Sequence, residues 1–154
     1  MSRQSSADAR WEDLADLVLI IAREIQFRGY SDERAVRLSP SEGMVMRHLQ
    51  HEPASPPSHI AAATGLQRTN LSTVLRSLEH KGLIERRSAS DDRRGVTVHP
   101  TTLGTSNYAL VRREWGEAVS SAVGDNPSGL DTTLRLLSKI ESGLVESRPT
   151  ESRT

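Results

Sequence analysis

The sequence predicts a mainly α-helical fold with one small β-hairpin, an α+β class, on the evidence of three patterns. Apolar residues recur at helical spacing in several segments of the 154 residues. Two short β-prone runs, 83–87 and 96–99, lie on either side of a polar connection. Breaks rich in glycine or proline separate the helical segments. The length fits a single domain, residues 1–154.

A helix with two contrasting faces is predicted to end at Lys81-Gly82, where a cation and a glycine give the usual C-terminal signal. Its apolar residues stand at i, i+3, i+4 and i+7, namely Leu71, Val74, Leu75 and Leu78. Its polar face has no acidic residue and carries the candidate DNA contacts Arg68, Thr69, Asn70, Ser72, Thr73 and Arg76. Short hydroxyls and arginines suit phosphates and base edges, although a solvated polar face is the simpler alternative.

The charge distribution favours a nucleic-acid partner although the formal net charge is zero. Residues 58–99 contain seven basic and four acidic side chains and are therefore net +3, whereas the flanks 1–57 and 100–154 are net −2 and −1. A basic centre between mildly acidic flanks is the asymmetry expected of a local DNA contact.

Two predicted helices precede the two-faced helix. The first opens at Ser39-Pro40, with Ser39 as N-cap and Glu42 completing a capping box, and ends near His51. The second runs from 59 to 64 with Ser58 as its cap, and Gly65 forms the turn after it. A short helix, a glycine turn and an amphipathic helix form a helix-turn-helix, whose second helix enters the major groove.

The predicted hairpin extends this arrangement into a winged helix-turn-helix lobe over residues 38–100. Its polar tip contains Asp92, Arg93 and Arg94, and the aspartate can hold an arginine by bidentate pairing. Arginine at a thin protruding tip suits the negative potential of a narrow minor groove. The alternative is a solvated turn without DNA contact.

Helices on either side of the lobe are predicted at 11–28 and, with a break at 125–127, at 101–145. The apolar stripe of the first helix is wider than one neighbour would cover, which favours contact with a second chain. These are the predicted dimerisation helices. The polar ends 1–9 and 146–154 are predicted to be disordered tails.

Several classes of function are disfavoured. There are no cysteines, so disulfides and thiolate metal sites are excluded. His48 and His51 are three residues apart but have no third ligand nearby, and no nucleophile motif appears, so we predict no metal, no cofactor and no enzymatic activity. No apolar run is long enough to cross a bilayer, and we expect a cytoplasmic protein without a membrane partner.

The sequence resembles the MarR family of winged-helix transcriptional regulators over most of its length. The similarity rests on Leu38-Ser39-Pro40, on Ser72-Thr73-Val74 with 78–84, and on Glu85-Arg86-Arg87 through Asp92-Arg93-Arg94. Members usually have Leu-Thr after the wing, whereas this chain has Pro100-Thr101.

The resemblance implies a homodimer that binds a pseudo-palindromic double-stranded operator. It implies that Arg94 reaches the minor groove while Asp92 orients it, and that Ser72, Thr73 and Arg76 face the major groove. It also implies a small aromatic or lipophilic effector, for which Trp11, Phe27, Tyr30 and Tyr108 are candidate neighbours if they do not serve core or dimer packing. The predicted function is a repressor released by a ligand; the alternatives are a protein-interaction module and, less favoured, a small enzyme.

Overall fold

The computed structural model describes residues 2–88, 95–124 and 128–149. Within these ranges the chain forms six helices and one antiparallel hairpin, which confirms the predicted fold class. In chain order the elements are α1 (Ser2–Phe27), α2 (Pro40–His51), α3 (Pro57–Thr64), α4 (Arg68–His80), β1 (Ile84–Ser88), β2 (Val96–Pro100), α5 (Thr102–Val123) and α6 (Leu130–Glu146). Among the described residues, no helix has the length and apolar character needed to cross a bilayer.

The chain divides into two compact units, residues 1–119 and residues 120–154. The first unit contains α1 to α4, the hairpin and most of α5. Its core is apolar and is formed by side chains from α2, α3, α4, the hairpin and α5, among them Val45, Met46, Leu49, Ile60, Leu71, Leu75, Leu78, Leu83, Val98 and Val111. The second unit contains the end of α5 and all of α6, none of whose residues is buried.

Local capping explains where α2 begins. The Ser39 hydroxyl accepts a hydrogen bond from the Glu42 backbone N–H at 3.2 Å, and the Glu42 carboxylate accepts one from the Ser39 N–H at 2.6 Å. Pro40 occupies the first helical turn. The predicted capping box is therefore confirmed, and it holds the Glu42 side chain against its own helix terminus.

Two predicted helix starts were wrong. α3 begins at Pro57 with Pro56 as N-cap and no side-chain cap, rather than after Ser58, because proline already has the backbone angle of a first helical residue. α1 begins at Ser2, so residues 2–9 are helical and do not form the predicted disordered tail. This segment has no glycine or proline, and nothing in its sequence stops α1 from extending towards the N-terminus.

The hairpin pairs Ile84 with Pro100 and Ser88 with Val96. β2 therefore extends through Pro100, whose missing N–H falls at the strand end where it interrupts no ladder. The next residue, Thr101, precedes α5 and caps its first turn: the Thr101 hydroxyl accepts from the Gly104 N–H at 2.9 Å and donates to the Gly82 carbonyl at 2.7 Å. The departure from the usual Leu-Thr pattern leaves the exit from the hairpin intact.

Candidate nucleic-acid interface

The predicted two-faced helix is α4, and its two faces are separated as the spacing predicts. Leu71, Leu75 and Leu78 are buried. The six polar candidates Arg68, Thr69, Asn70, Ser72, Thr73 and Arg76 are all exposed. With about 3.6 residues per turn, Thr69, Ser72, Thr73 and Arg76 lie on one side of α4, and Arg68 and Asn70 lie at its two margins. We call this exposed side of α4 the polar face.

The turn before α4 depends on one glycine. Gly65 ends α3 in the left-handed region at a φ of 70°, and its N–H donates to the Ala61 carbonyl at 2.8 Å. Most other residues would be strained in this conformation. α4 then begins after its N-cap residue Gln67, and among the residues that the structure describes no side-chain hydrogen bond caps its first turn. Its first N–H groups and the positive end of the helix dipole thus remain available to an anion.

Ion pairs involve three of the basic side chains between residues 58 and 88. Lys81 contacts Glu42 at 2.7 Å, and Arg86 contacts Glu79 at 3.3 Å. The Arg87 Nε donates to the Glu85 carboxylate at 2.9 Å. These pairs are internal to the first unit, so these three cations contribute less to an external electrostatic field than the sequence count implies.

The polar face carries the remaining two basic side chains of this segment, Arg68 and Arg76. Among the residues that the structure describes, none forms an ion pair with Arg68 or Arg76. Both arginines are exposed and stand on α4, each within about one turn of two of the exposed residues Thr69, Ser72 and Thr73. The face therefore combines cationic fork donors with small hydroxyl groups, a combination that can bind phosphate oxygens and guanine edges.

The wing candidates Asp92, Arg93 and Arg94 lie outside the described residues, so their roles remain predictions. The described strands place Glu85 opposite His99 and Arg87 opposite Thr97. These four side chains share one face of the hairpin, because side chains alternate along each strand. The Thr97 hydroxyl also contacts the His99 Nε2 at 2.9 Å.

Two features of this region were missed by the sequence analysis. His80 is exposed and lies on the polar face, one turn after Arg76. The spacing of four residues between Arg76 and His80 indicates that both lie on the same side of α4. This segment was interpreted only as the helix end at Lys81-Gly82, so His80 was not included among the candidates. The second feature is the pairing of Glu42 with Lys81 across 39 residues, for which no local pattern exists.

His48 has a structural partner. Its Nε2 contacts the buried Ser55 hydroxyl at 2.9 Å, and that hydroxyl donates to the Glu52 carbonyl at 2.9 Å. The ring nitrogen is therefore the donor in the first contact. Within the described part of the chain, no group of three or more histidine or acidic side chains could hold a metal ion.

A separate cavity of about 380 Å³ lies between α1, α2 and α5 within the first unit. Its lining includes Tyr30, Met44, Tyr108 and Trp115. Burial raises the pKa of the Tyr108 phenol above its ordinary value, so this hydroxyl stays protonated and able to donate. Trp11 and Phe27 do not line it and are largely exposed, at 56% and 68%.

Residues 38–95 match the model of the MarR family. This matched segment of the chain is similar to the MarR family. The matched segment contains α2, α3, α4 and β1, and so includes the polar face. A search of curated protein sequences found no match.

Several solved structures share this fold at low sequence identity. The regulator BldR from Sulfolobus solfataricus is 20% identical, with a TM-score of 0.71 over 92% of this chain and 99% of its own. FabT from Streptococcus pneumoniae, solved in complex with DNA, is 23% identical, with a TM-score of 0.65 over 94% and 99%. NadR in complex with 4-hydroxyphenylacetate is 20% identical, with a TM-score of 0.57 over 96% and 94%.

Proposed function

We propose that this chain is a MarR-family regulator that binds double-stranded DNA as a homodimer and acts as a repressor that a small ligand releases. The observation that carries the proposal is the polar face of α4, where Arg68 and Arg76 lie among exposed hydroxyls without ion-pair partners among the described residues. The uncapped first turn of α4 adds a site for a phosphate. FabT, which has the same fold, was solved with DNA.

In this proposal the polar face enters the major groove and the wing reaches the minor groove. Ser72, Thr73 and Arg76 read base edges, while Arg68, Thr69 and Asn70 stand at the N-terminal end of α4 and contact the backbone. Asp92, Arg93 and Arg94 serve the wing contact. Two lobes related by two-fold symmetry then require half-sites about 34 Å apart, one helical turn of DNA.

Replacing Arg76 by alanine tests the reading of bases. We expect Arg76→Ala to lose about 1–3 kcal/mol of binding energy, the value of a bidentate contact to guanine, and to relax the preference at one position of each half-site. The measurement is a gel-shift titration of duplexes selected from a random pool by the unmodified protein. Arg112→Ala, which removes the same charge from the exposed surface of α5, is the matched control and should change affinity little.

A uniform loss on selected and scrambled duplexes would instead make Arg76 a phosphate contact. Failure of the unmodified protein to enrich any duplex would contradict DNA binding altogether. Binding that does not weaken with salt would favour a protein-interaction module, because phosphate contacts release counterions.

The cavity between α1, α2 and α5 is the proposed effector site. Its lining includes the aromatic side chains of Tyr30, Tyr108 and Trp115, and the two tyrosines also carry hydroxyl groups. This lining suits a small aromatic acid or a lipophilic compound. Because the chain has two tryptophans and only Trp115 lines the cavity, Trp11→Phe isolates its fluorescence. We expect 4-hydroxyphenylacetate, the ligand in the NadR structure, to change the Trp115 emission and lower DNA affinity; unchanged emission at millimolar ligand would reject this compound class.

A further inference from the structure

A buried ionic network joins α2 to the C-terminal end of α4. The Glu42 side chain is only 4% exposed and the Lys81 side chain 29%. Lys81 Nζ donates to Glu42 Oε1 at 2.8 Å and to Oε2 at 2.7 Å. The Ser77 hydroxyl donates to Oε1 at 2.7 Å, and the Ser39 N–H donates to Oε2 at 2.6 Å. Each carboxylate oxygen therefore accepts two hydrogen bonds.

The network keeps Glu42 ionised. Burial by itself would raise the pKa of this carboxyl, but the hydrogen bonds from Lys81, Ser39 and Ser77 outweigh it and hold the pKa below its ordinary value. A buried carboxylate that lost these donors would be strongly destabilising. The charged, fully bonded form is therefore the form present at neutral pH.

Lys81 has no donor left for DNA. An ammonium group has three N–H donors. Here Nζ contacts both Glu42 oxygens, and it contacts the Arg37 carbonyl at 2.9 Å. A phosphate contact would require Lys81 to break one of these bonds. The position of this cation at the end of α4 thus serves the protein interior.

The network contacts α4 on a side of the helix that side chains of the neighbouring elements do not fill completely. A cavity of about 500 Å³ lies along this flank, between α4 and the end of α1, and is lined by Gln26, Arg28, Thr73, Val74, Ser77 and Lys81 among others. Lys81, the residue that follows the end of α4, stands one turn after Ser77, and Thr73 precedes Ser77 by another turn. The apolar contacts on the opposite side of α4 are non-directional, so they constrain its rotation only weakly. Hydrogen bonds are directional, so the bonds of the network constrain that rotation more tightly.

Small rotations of α4 matter for base reading. A rotation of about 20° about the helix axis moves the helix surface, at a radius of about 5–6 Å, by roughly 2 Å. Hydrogen bonds to base edges tolerate only a few tenths of an ångström around their ordinary length. Anything that fixes the rotation of α4 therefore determines whether Thr73 and Arg76 reach their bases.

We propose that Glu42 and Lys81, with Ser77, are positioning residues that fix the rotation of α4 relative to α2 and thereby set the sequence specificity of the polar face. The capping box makes Glu42 a rigid anchor on α2, and Ser77 and Lys81 are the two points at which it holds α4. This inference rests on the proposed DNA binding through α4.

Glu42→Gln separates positioning from simple electrostatics, because the two predict opposite signs. Glutamine can keep the capping box but removes the ion pair. Loss of one negative charge alone would strengthen binding to every duplex. Positioning instead predicts about tenfold weaker binding to the selected duplex, the loss expected when about one hydrogen bond to a charged group is misaligned, with unchanged or tighter binding to a scrambled duplex.

Three further variants complete the test. Glu33→Gln removes the same charge from an exposed position in the α1–α2 connection and should shift both affinities equally. Ser77→Ala keeps every charge and should reduce the ratio of selected to scrambled affinity in the same direction as Glu42→Gln. Lys81→Arg keeps the ion pair and should retain more of that ratio than Lys81→Met. Circular dichroism confirms that each variant is folded.

The proposal is overturned if Glu42→Gln and Ser77→Ala keep the full affinity ratio. It is also overturned if Lys81→Met weakens both duplexes equally and lowers the salt slope by about one, the signature of a lost phosphate contact. Hydrogen exchange without DNA provides an independent arm: Glu42→Gln should accelerate exchange of the backbone amides of residues 78–82. If the unmodified protein selects no duplex, the DNA-binding proposal fails, whereas the exchange arm still decides whether the network holds α4.

Discussion

Gly104→Ala is expected to destabilise the protein by about 3 kcal/mol, at the upper end of the cost of overpacking a well-packed site. A Cβ at this position would lie 1.9 Å from the Leu83 carbonyl oxygen and 2.8 Å from its carbon. These are backbone atoms that no side-chain rotation can move. The start of α5 would therefore have to shift away from the beginning of the hairpin.

That shift breaks a local junction. The Leu83 carbonyl accepts from the Thr101 N–H at 3.1 Å, and the Thr101 hydroxyl accepts from the Gly104 N–H. The midpoint temperature of thermal unfolding should fall by about 6–12 °C, because each kcal/mol lowers it by about 2–4 °C in a chain of this size. The measurement is calorimetry or urea unfolding at several protein concentrations.

Gly116→Ala is the matched control on the same helix. Gly116 is exposed, and an added Cβ would meet nothing within 4 Å. Alanine there should stabilise α5 by about 0.5–1 kcal/mol, because glycine loses more backbone entropy on folding. Equal stability of Gly104→Ala and the unmodified protein would contradict the close approach of α5 to Leu83.

The second large effect is expected from aspartates placed on α6. Leu130, Leu134, Leu137 and Leu144 follow one side of this helix and are 36–66% exposed in the single chain. Such an apolar stripe is expected to be covered by a partner. We expect Leu134→Asp with Leu137→Asp to give a monomer at micromolar concentration by light scattering, because two charges would be buried in the proposed dimer.

Loss of the dimer should weaken binding to the full operator by at least about 100-fold, since two linked lobes commonly gain 10²–10⁴ in avidity. Thr132→Asp with Ser142→Asp adds the same charge to the opposite, polar side of α6 and should remain dimeric. A persistent dimer in the leucine variant, or a monomeric unmodified protein, would contradict the two-lobe proposal.

Much of the fold could be predicted from the sequence because it depends on neighbouring residues. The capping box at Ser39 and Glu42, the buried leucines of α4 and the turn at Gly65 follow from spacings of a few residues. The start of α1 could not be predicted as well, because a polar segment without breakers is compatible with either helix or coil.

The polar face of α4 could also be predicted from the helical spacing of the apolar residues. The sequence by itself therefore determined which side of that helix is exposed. Only the tertiary structure decided which cations remain outside ion pairs. Lys81, Arg86 and Arg87 count with Arg68 and Arg76 in the sequence, yet the first three contact carboxylates. The Glu42–Lys81 pair spans 39 residues, and its existence depends on how α2 and α4 pack. Helical spacing is a local property of the chain, whereas the pairing of distant charges is set by the fold.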